Sequence, residues 1–152
     1  MTDGGSRRME ALSGVECYRL LATQQVGRLG VDVGRYPLIF PVNYALDGDT
    51  ILVRTRPDTA LTAADYANVA FEVDAIDPRT RSGWSVLVRG LAEDVTATHR
   101  GESQGESHED TQARGPQPWP PGEHGRWIRI VPHGISGRRI VPASSSTSVP
   151  PA

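Results

Sequence analysis

Two short apolar runs on either side of an Asp-Gly pair at positions 47 and 48 constrain the fold of this chain most strongly. Phe40–Ala45 and Ile51–Thr55 largely alternate between the two faces of an extended chain, which is the pattern of half-buried strands. An Asp-Gly pair between such runs is typical of a two-residue type I′ turn, in which both central residues need positive φ. The stretch therefore predicts a β-hairpin. Asn43 and Arg54 interrupt its apolar pattern, and we expect any small-molecule site to lie beside them.

The length of 152 residues accommodates one domain with a hydrophobic core, but not two ordinary domains. Residues 1–8 are rich in Gly, Ser and Arg, and residues 142–152 are rich in Ser and Pro, so we expect disordered tails around a folded domain at 9–141. Within that domain, residues 98–117 lack an apolar period and are expected to form a flexible polar loop. No apolar run has the length of a membrane span or a secretion signal, which predicts a cytoplasmic protein.

Charge and cysteine content exclude several kinds of site. All 16 basic residues are Arg, and the formal net charge at pH 7 is −2. Because the Arg residues are scattered along the chain, the charge pattern argues against a nucleic-acid-binding surface. Cys17 is the only cysteine, so an internal disulfide cannot form, and we expect a small buried residue on a helix. No two of the four His residues share metal-ligand spacing on one element, so no metal site is predicted.

One leading helix is predicted near the N-terminus. Ser13 and Glu16 have the spacing of a capping box, which predicts a helix that continues to about Thr23 and covers one end of a sheet. The residues expected on its inward stripe are Val15, Tyr18, Leu21 and Ala22.

Six later segments have the composition and alternation of β-strands. They are Val26–Val33, Tyr36–Ala45, Ile51–Thr55, Asn68–Asp74, Trp84–Val95 and Arg126–Val131. A short helix over Ala60–Tyr66 is predicted between the third and fourth strands, and Gly90 predicts a bulge or bend in the fifth. Strands connected mostly by hairpins predict a mainly β fold, a small antiparallel barrel flanked by helices.

Several motifs follow one another in an order that characterises a known family. They are Val-Gly-Arg-Leu (26–29), Phe-Pro-Val-Asn-Tyr (40–44), Ala-Phe-Glu-Val-Asp (70–74), Gly-Trp-Ser-Val-Leu-Val-Arg-Gly (83–90) and the ending Ile128–Arg139. Together they resemble the pyridoxamine 5′-phosphate oxidase-like family, and within it the small actinobacterial branch. The resemblance covers about Leu12–Val95 and Pro118–Ile140. It implies a six-stranded antiparallel split β-barrel that binds FMN and forms a homodimer, with two flavins in clefts at the interface.

The resemblance also implies which residues contact the cofactor. The residues that would run beside the flavin ring and ribityl chain are Phe40, Pro41, Val42 and Asn43. Those that would approach the phosphate are Arg54, Thr55 and the helix start at Thr59, Ala60 and Leu61. Trp84 and Ser85 match a position near the flavin. A helix N-terminus offers free amides to an anion, and Arg54 can add a charge-assisted pair of hydrogen bonds.

One departure from the family pattern concerns the cofactor. Relatives usually carry Lys or Arg at the position of Ala60, and Asp58 here adds an anion beside the expected phosphate. A lost charge-assisted contact weakens binding by roughly ten- to hundredfold. FMN is therefore expected to bind weakly or to be absent, and a deazaflavin is the alternative cofactor.

Two functions remain open from the sequence. The first is an FMN- or deazaflavin-dependent oxidoreductase that acts on a small molecule, with no identifiable catalytic acid or base. The second is a non-enzymatic cofactor- or ligand-binding protein on the same fold. Individual residues also have simpler interpretations: Thr59 as only a helix cap, Trp84 as a core or dimer contact, and the carboxylates at 72 and 74 as surface charge.

Overall fold

The computed structural model describes residues 7–55, 67–98 and 125–142 of the chain. The elements in chain order are β1 (Arg8–Leu12), α1 (Gly14–Leu21), β2 (Val26–Asp32), β3 (Pro37–Asp47), β4 (Thr50–Thr55), β5 (Ala67–Asp77), β6 (Ser82–Asp94) and β7 (Arg126–Val141). The short helix predicted over Ala60–Tyr66 and nearly all of the polar segment 98–117 lie outside the described residues. Among the described residues, no helix has the length and apolar character needed to cross a membrane.

The pairing of β6 with β7 closes the sheet into a ring. The strand order is β1-β7-β4-β3-β2-β5-β6, and β6 returns to pair with β7, so β2 to β7 form a cycle of six antiparallel strands. On the edge facing away from β6, β7 pairs first with β4 over Arg126–Ile130 and then with β1 over Gly137–Val141. The predicted mainly β fold, an antiparallel split barrel built from six strands, is confirmed.

Strand β1 is an additional element that the sequence pattern does not predict. It begins at Arg8, inside the segment expected to be a tail, and pairs with the last residues of β7. Of its five residues, Leu12 alone packs against the hydrophobic core, so no apolar alternation marks the strand. Its backbone hydrogen bonds depend on a partner at the opposite end of the chain, and local sequence therefore gives no signal for it.

The hairpin between β3 and β4 is confirmed, but its turn differs from the expected type. The strands pair as far as Asp47 and Thr50, which leaves Gly48 and Asp49 as the central residues. Gly48 has a φ of 60°, whereas Asp49 does not have a positive φ. Positive φ at the first central position alone is the pattern of a type II′ turn, so the expected type I′ turn is wrong. The pairing is shifted by one residue from the expected register, so Gly48 occupies the first central position of the turn. A type II′ turn needs positive φ only at that position, and one glycine is sufficient for it.

The barrel interior is filled by the alternate residues of its strands. The buried ones are Leu29, Val31, Val42, Tyr44, Ile51, Val53, Val69, Phe71, Val73, Val86, Val88, Ala92, Ile128 and Ile130. This confirms the predicted faces of the strands. Val33, expected in the core, is 43% exposed because β2 ends at Asp32 and Val33 lies in the turn that follows.

The bulge predicted at Gly90 is confirmed. The register between β6 and β7 shifts between Arg89 and Gly90. A Cβ atom at Gly90 would lie only 2.4 Å from the Val131 carbonyl oxygen, so a side chain there would collide with the partner strand. The glycine thus permits the irregularity that bends β6 around the barrel.

Helix α1 covers one end of the barrel, as predicted. Its capping box is present: the Ser13 hydroxyl accepts from the Glu16 amide at 3.2 Å, and the Glu16 carboxylate accepts from the Ser13 amide at 3.2 Å. The Tyr18 hydroxyl donates to the Asp49 carbonyl oxygen at 3.0 Å, which joins the helix to the β3–β4 turn.

The buried stripe of α1 agrees only in part with the predicted one: Leu21 and Tyr18 pack inward as expected, but Val15 and Ala22 do not. Cys17 and Leu21 are fully buried, one helical turn apart, whereas Val15 is 80% exposed and Ala22 is also exposed. Burial of Cys17 confirms its interpretation as a small core residue. Gly137 on β7 leaves room for the Cys17 sulfur, which lies 2.8 Å from where a Cβ of Gly137 would stand.

Gly27 provides a test of packing inside the barrel. A Cβ at Gly27 would lie 2.4 Å from the Phe71 ring, whereas a Cβ at Gly30, on the same strand, would meet Ala70 at an ordinary 3.6 Å. We expect Gly27→Ala to reduce the free energy of unfolding by about 1–3 kcal/mol through overpacking, measured by urea denaturation. Gly30→Ala is the matched control, since both changes restrict the unfolded chain equally. Equal stability of the two variants would contradict the proposed collision.

Candidate functional site

Three side chains from neighbouring strands form a row on the outer surface of the barrel. Asn43 on β3 pairs with Arg54 on β4, and Arg54 pairs with Trp127 on β7. Paired residues share one face of a sheet. Because Val53 and Ile128, their neighbours in sequence, are buried inside, Arg54 and Trp127 face outward. The two residues singled out in the hairpin, Asn43 and Arg54, are therefore brought together directly.

The row continues from Asn43 to Val26 on β2, its partner in the β2–β3 ladder. Beyond Val26 lies an open depression of about 350 Å³, lined by Thr23, Gln24, Gln25, Val26, Arg28 and Asp74. The β2–β5 pairing ends at Arg28 and Glu72, so the depression lies where these two strands part. From Val26 to Trp127 the row crosses three strand spacings, about 14 Å at ~4.8 Å each. Such a surface suits an elongated ligand.

Arg54 and Trp127 contact each other directly. The guanidinium carbon of Arg54 lies 5.1 Å from the centroid of the Trp127 ring, within the range of a cation–π interaction. Sequence reasoning missed Trp127, although it did predict the strand that carries it. The alternation of that strand placed Trp127 on the outer face, but its position opposite Arg54 depends on the β4–β7 register, which the sequence alone does not supply.

The other predicted cofactor contacts divide between the two faces of the barrel. Pro41 and Ser85 lie on the outer face, with Pro41 opposite Arg28 and Ser85 opposite Asp74. Those on the inner face or packed against the core are Phe40, Val42, Thr55 and Trp84. The predicted helix start at Thr59, Ala60 and Leu61 lies outside the described residues. Only part of the predicted set can thus present its side chains on one outer surface.

A charged cluster borders the depression. Arg28 Nη1 lies 3.3 Å from an Asp74 carboxylate oxygen and 3.9 Å from a Glu72 carboxylate oxygen. Burial, followed by a hydrogen bond to Asp74 and the charge of that carboxylate, raises the pKa of Glu72 to about 7, and Arg28 only partly offsets the rise. Sequence analysis interpreted both carboxylates as surface charge.

Comparison with known proteins identifies the family. A family model described as pyridoxamine 5′-phosphate oxidase matches residues 14–139. The chain belongs to the pyridoxamine 5′-phosphate oxidase family. The resemblance inferred from the motifs is thereby confirmed. The uncharacterized protein Rv0080 of Mycobacterium tuberculosis is 36% identical over 97 residues, which are 60% of this chain and 64% of that relative. The match thus spans less than two thirds of the curated relative's length.

Solved structures of other proteins share the fold of this member of the pyridoxamine 5′-phosphate oxidase family. The FAD binding protein from Mycobacterium smegmatis is 32% identical with a TM-score of 0.64, over 87% of this chain and 98% of that protein. A conserved protein of unknown function from Corynebacterium diphtheriae is 29% identical with a TM-score of 0.68, over 88% and 98% respectively. Both of these proteins align with this chain along nearly their whole length.

The raised pKa of Glu72 predicts a pH dependence of stability. Between the usual pKa of a glutamate, 4.5, and about 7, the folded protein binds more protons at this position than the unfolded chain. Stability is therefore expected to be greatest below pH 4.5 as far as Glu72 is concerned, and to fall as the pH rises through about 7. We expect Glu72→Gln to remove this fall, measured as thermal midpoints from pH 5 to 8.

Glu10→Gln on strand β1 serves as the control, since it also deletes one carboxylate from the described part of the barrel. The prediction fails if Glu72→Gln and wild type lose stability in parallel over that range.

Proposed function

We propose that this protein binds a phosphorylated flavin-type cofactor on the outer surface of its barrel and acts as an oxidoreductase on a small molecule. The observation that carries the proposal is the row of Asn43, Arg54 and Trp127, which combines an amide, a guanidinium and an aromatic face on adjacent strands. Membership of the family supports the cofactor class, as does the likeness to an FAD binding protein. FMN, FAD and a phosphorylated deazaflavin each carry a phosphate group that Arg54 would recognise.

The residues of the row fit the chemistry of such a ligand. An Arg side chain presents donors in a planar fork that matches two oxygens of one phosphate. The Asn43 amide, directly opposite Arg54, can both donate and accept hydrogen bonds with a polyhydroxyl chain. The depression beyond Val26 would receive the end of the ligand away from Arg54, so a planar ring there would adjoin Arg28 and Asp74.

When bound, a flavin supplies the electron-transfer chemistry, and the protein contributes binding, orientation and charge. Arg54 would hold the anionic end, and Asn43 would orient the chain between the two ends. The cluster of Arg28, Glu72 and Asp74 places a carboxyl with a pKa of about 7, that of Glu72, at the edge of the depression. A small substrate would bind beside the cofactor ring, within reach of this cluster.

A second candidate function is supported by the sequence at the expected phosphate site. The family usually places a cation at the position of Ala60, and here the neighbouring charge is Asp58. Weaker cofactor binding would favour a protein that binds or carries a ligand on the same fold without catalysing a reaction. Turnover by the cofactor-loaded protein with a reductant and an electron acceptor separates this candidate from the first.

Arg54 provides the direct test of cofactor binding. We expect Arg54→Ala to raise the Kd for FMN by about ten- to hundredfold because a charge-assisted contact is lost. Riboflavin, which lacks the phosphate, should bind nearly as it does to the wild type. Quenching of flavin fluorescence measures both affinities. Arg89→Ala, an exposed position on β6, is the matched control for loss of one guanidinium and should leave both affinities unchanged. A wild-type protein that binds neither FMN, FAD nor a deazaflavin would refute the proposal.

We also propose that two copies of the chain form a homodimer through this outer surface. Ile39, near the start of β3, is 72% exposed, and Tyr36, which directly precedes β3, is 68% exposed. Exposed apolar side chains beside a charged and aromatic row are the composition of an interface. We expect light scattering to give twice the chain mass and Ile39→Asp to shift the protein toward the monomer. A wild-type mass equal to one chain would contradict this.

A further inference from the structure

We propose that Trp127 is a positioning residue: it holds the Arg54 guanidinium in place for an anionic group, and so makes the surface prefer phosphorylated ligands to their unphosphorylated counterparts. This inference rests on the proposed function. It goes beyond that function because it assigns the preference to an aromatic residue on a different strand from the cation.

The first support is the contact itself. The Arg54 guanidinium carbon lies 5.1 Å from the centroid of the Trp127 ring, and the two residues are direct partners in the β4–β7 ladder. A guanidinium stacks through its flat face, whereas its N–H groups point outward in the plane of the group. Contact with the indole and hydrogen bonding to an anion are therefore geometrically compatible. An Arg side chain otherwise loses considerable rotamer freedom on binding, and a preformed contact reduces that cost.

The second support is the attachment of Trp127 to the rest of the barrel. Its backbone amide donates to the Thr96 hydroxyl at 3.0 Å, and its carbonyl oxygen accepts from the Val95 amide at 2.9 Å. Thr96 is held in turn by Asp94, whose carboxylate accepts from the Thr96 amide at 2.9 Å and from the Thr96 hydroxyl at 2.5 Å. Trp127 is thus fixed between the end of β6 and the start of β7.

An ion pair completes this attachment. Arg126 Nη1 donates to the other Asp94 carboxylate oxygen at 2.6 Å. Burial alone would raise the pKa of Asp94, but the hydrogen bonds from Thr96 and the ion pair with Arg126 outweigh it and lower the pKa. Asp94 is therefore charged at neutral pH. It holds Thr96, which bonds to the Trp127 backbone, and Arg126, which precedes Trp127 in the chain. The Arg126 guanidinium is thus paired with Asp94, and the guanidinium that lies over the Trp127 ring is that of Arg54.

The test compares phosphorylated and unphosphorylated forms of one ligand. We expect Trp127→Leu to raise the Kd for FMN about three- to thirtyfold while the Kd for riboflavin changes less than twofold, since cation–π contacts have this magnitude. Trp127→Phe should fall between the wild type and Trp127→Leu, because it retains a weaker aromatic face. A residue with only a structural role would change both affinities together.

Two further variants separate the contact from general damage. The double variant Arg54→Ala/Trp127→Leu should bind FMN no more weakly than Arg54→Ala alone, because the indole acts through the guanidinium. Leu87→Ala removes an exposed apolar side chain from β6 and should leave the FMN-to-riboflavin preference unchanged. Circular dichroism and thermal midpoints confirm that each variant is folded.

The outcomes are distinct. An unchanged FMN preference in folded Trp127→Leu, or additive losses in the double variant, overturns the inference. If the wild type binds no flavin, the proposed function fails, and inorganic phosphate then decides the inference through ³¹P line broadening. Broadening that is lost in both Arg54→Ala and Trp127→Leu supports a positioned guanidinium. Broadening that persists in Trp127→Leu, or is absent from the wild type, refutes it.

Discussion

The closure of the sheet by β6 and β7 is the interaction on which the rest of the structure depends. A closed barrel has no free edges within its ring, and every strand must therefore present one face inside and one outside. The inside accepts the apolar half of each strand and accounts for the buried core. The other half of each strand faces outward. Polar or aromatic residues from three strands therefore share one outer surface, namely Asn43, Arg54 and Trp127.

The length of β7 explains how one strand serves both purposes. Its first part pairs with β4 and carries Trp127 opposite Arg54, while its last part pairs with β1 and leaves space at Gly137 for Cys17 of the covering helix. The same strand therefore supports the proposed ligand surface at one end and closes the core at the other. The hydrogen bonds from Trp127 to Thr96 and from Thr96 to Asp94 attach the proposed ligand surface to the end of β6.

The outer surface combines two electrostatic environments. Around Arg54 a cation is paired with an aromatic face, which suits an anionic group. Three strands away, Glu72 and Asp74 lie together beside Arg28, and the pKa of Glu72 is raised to about 7. A ligand that extends from one environment to the other would meet a fixed positive charge at one end and an exchangeable proton at the other. This arrangement agrees with a redox cofactor whose reactive ring and anionic group are well separated.

The sequence by itself determined which segments form β2 to β7, most of their inward faces, the capping box of α1, the bulge at Gly90 and the family, because each follows from local patterns or from motif order. Only the tertiary structure decided the pairing of β1, the turn type at Gly48, the burial of Cys17 on α1 and the meeting of Arg54 with Trp127. The turn type follows from the exact register of one hairpin, whereas the other three depend on contacts between segments far apart in the chain. The raised pKa of Glu72 likewise depends on a neighbour on another strand, so the sequence showed only an alternating charge.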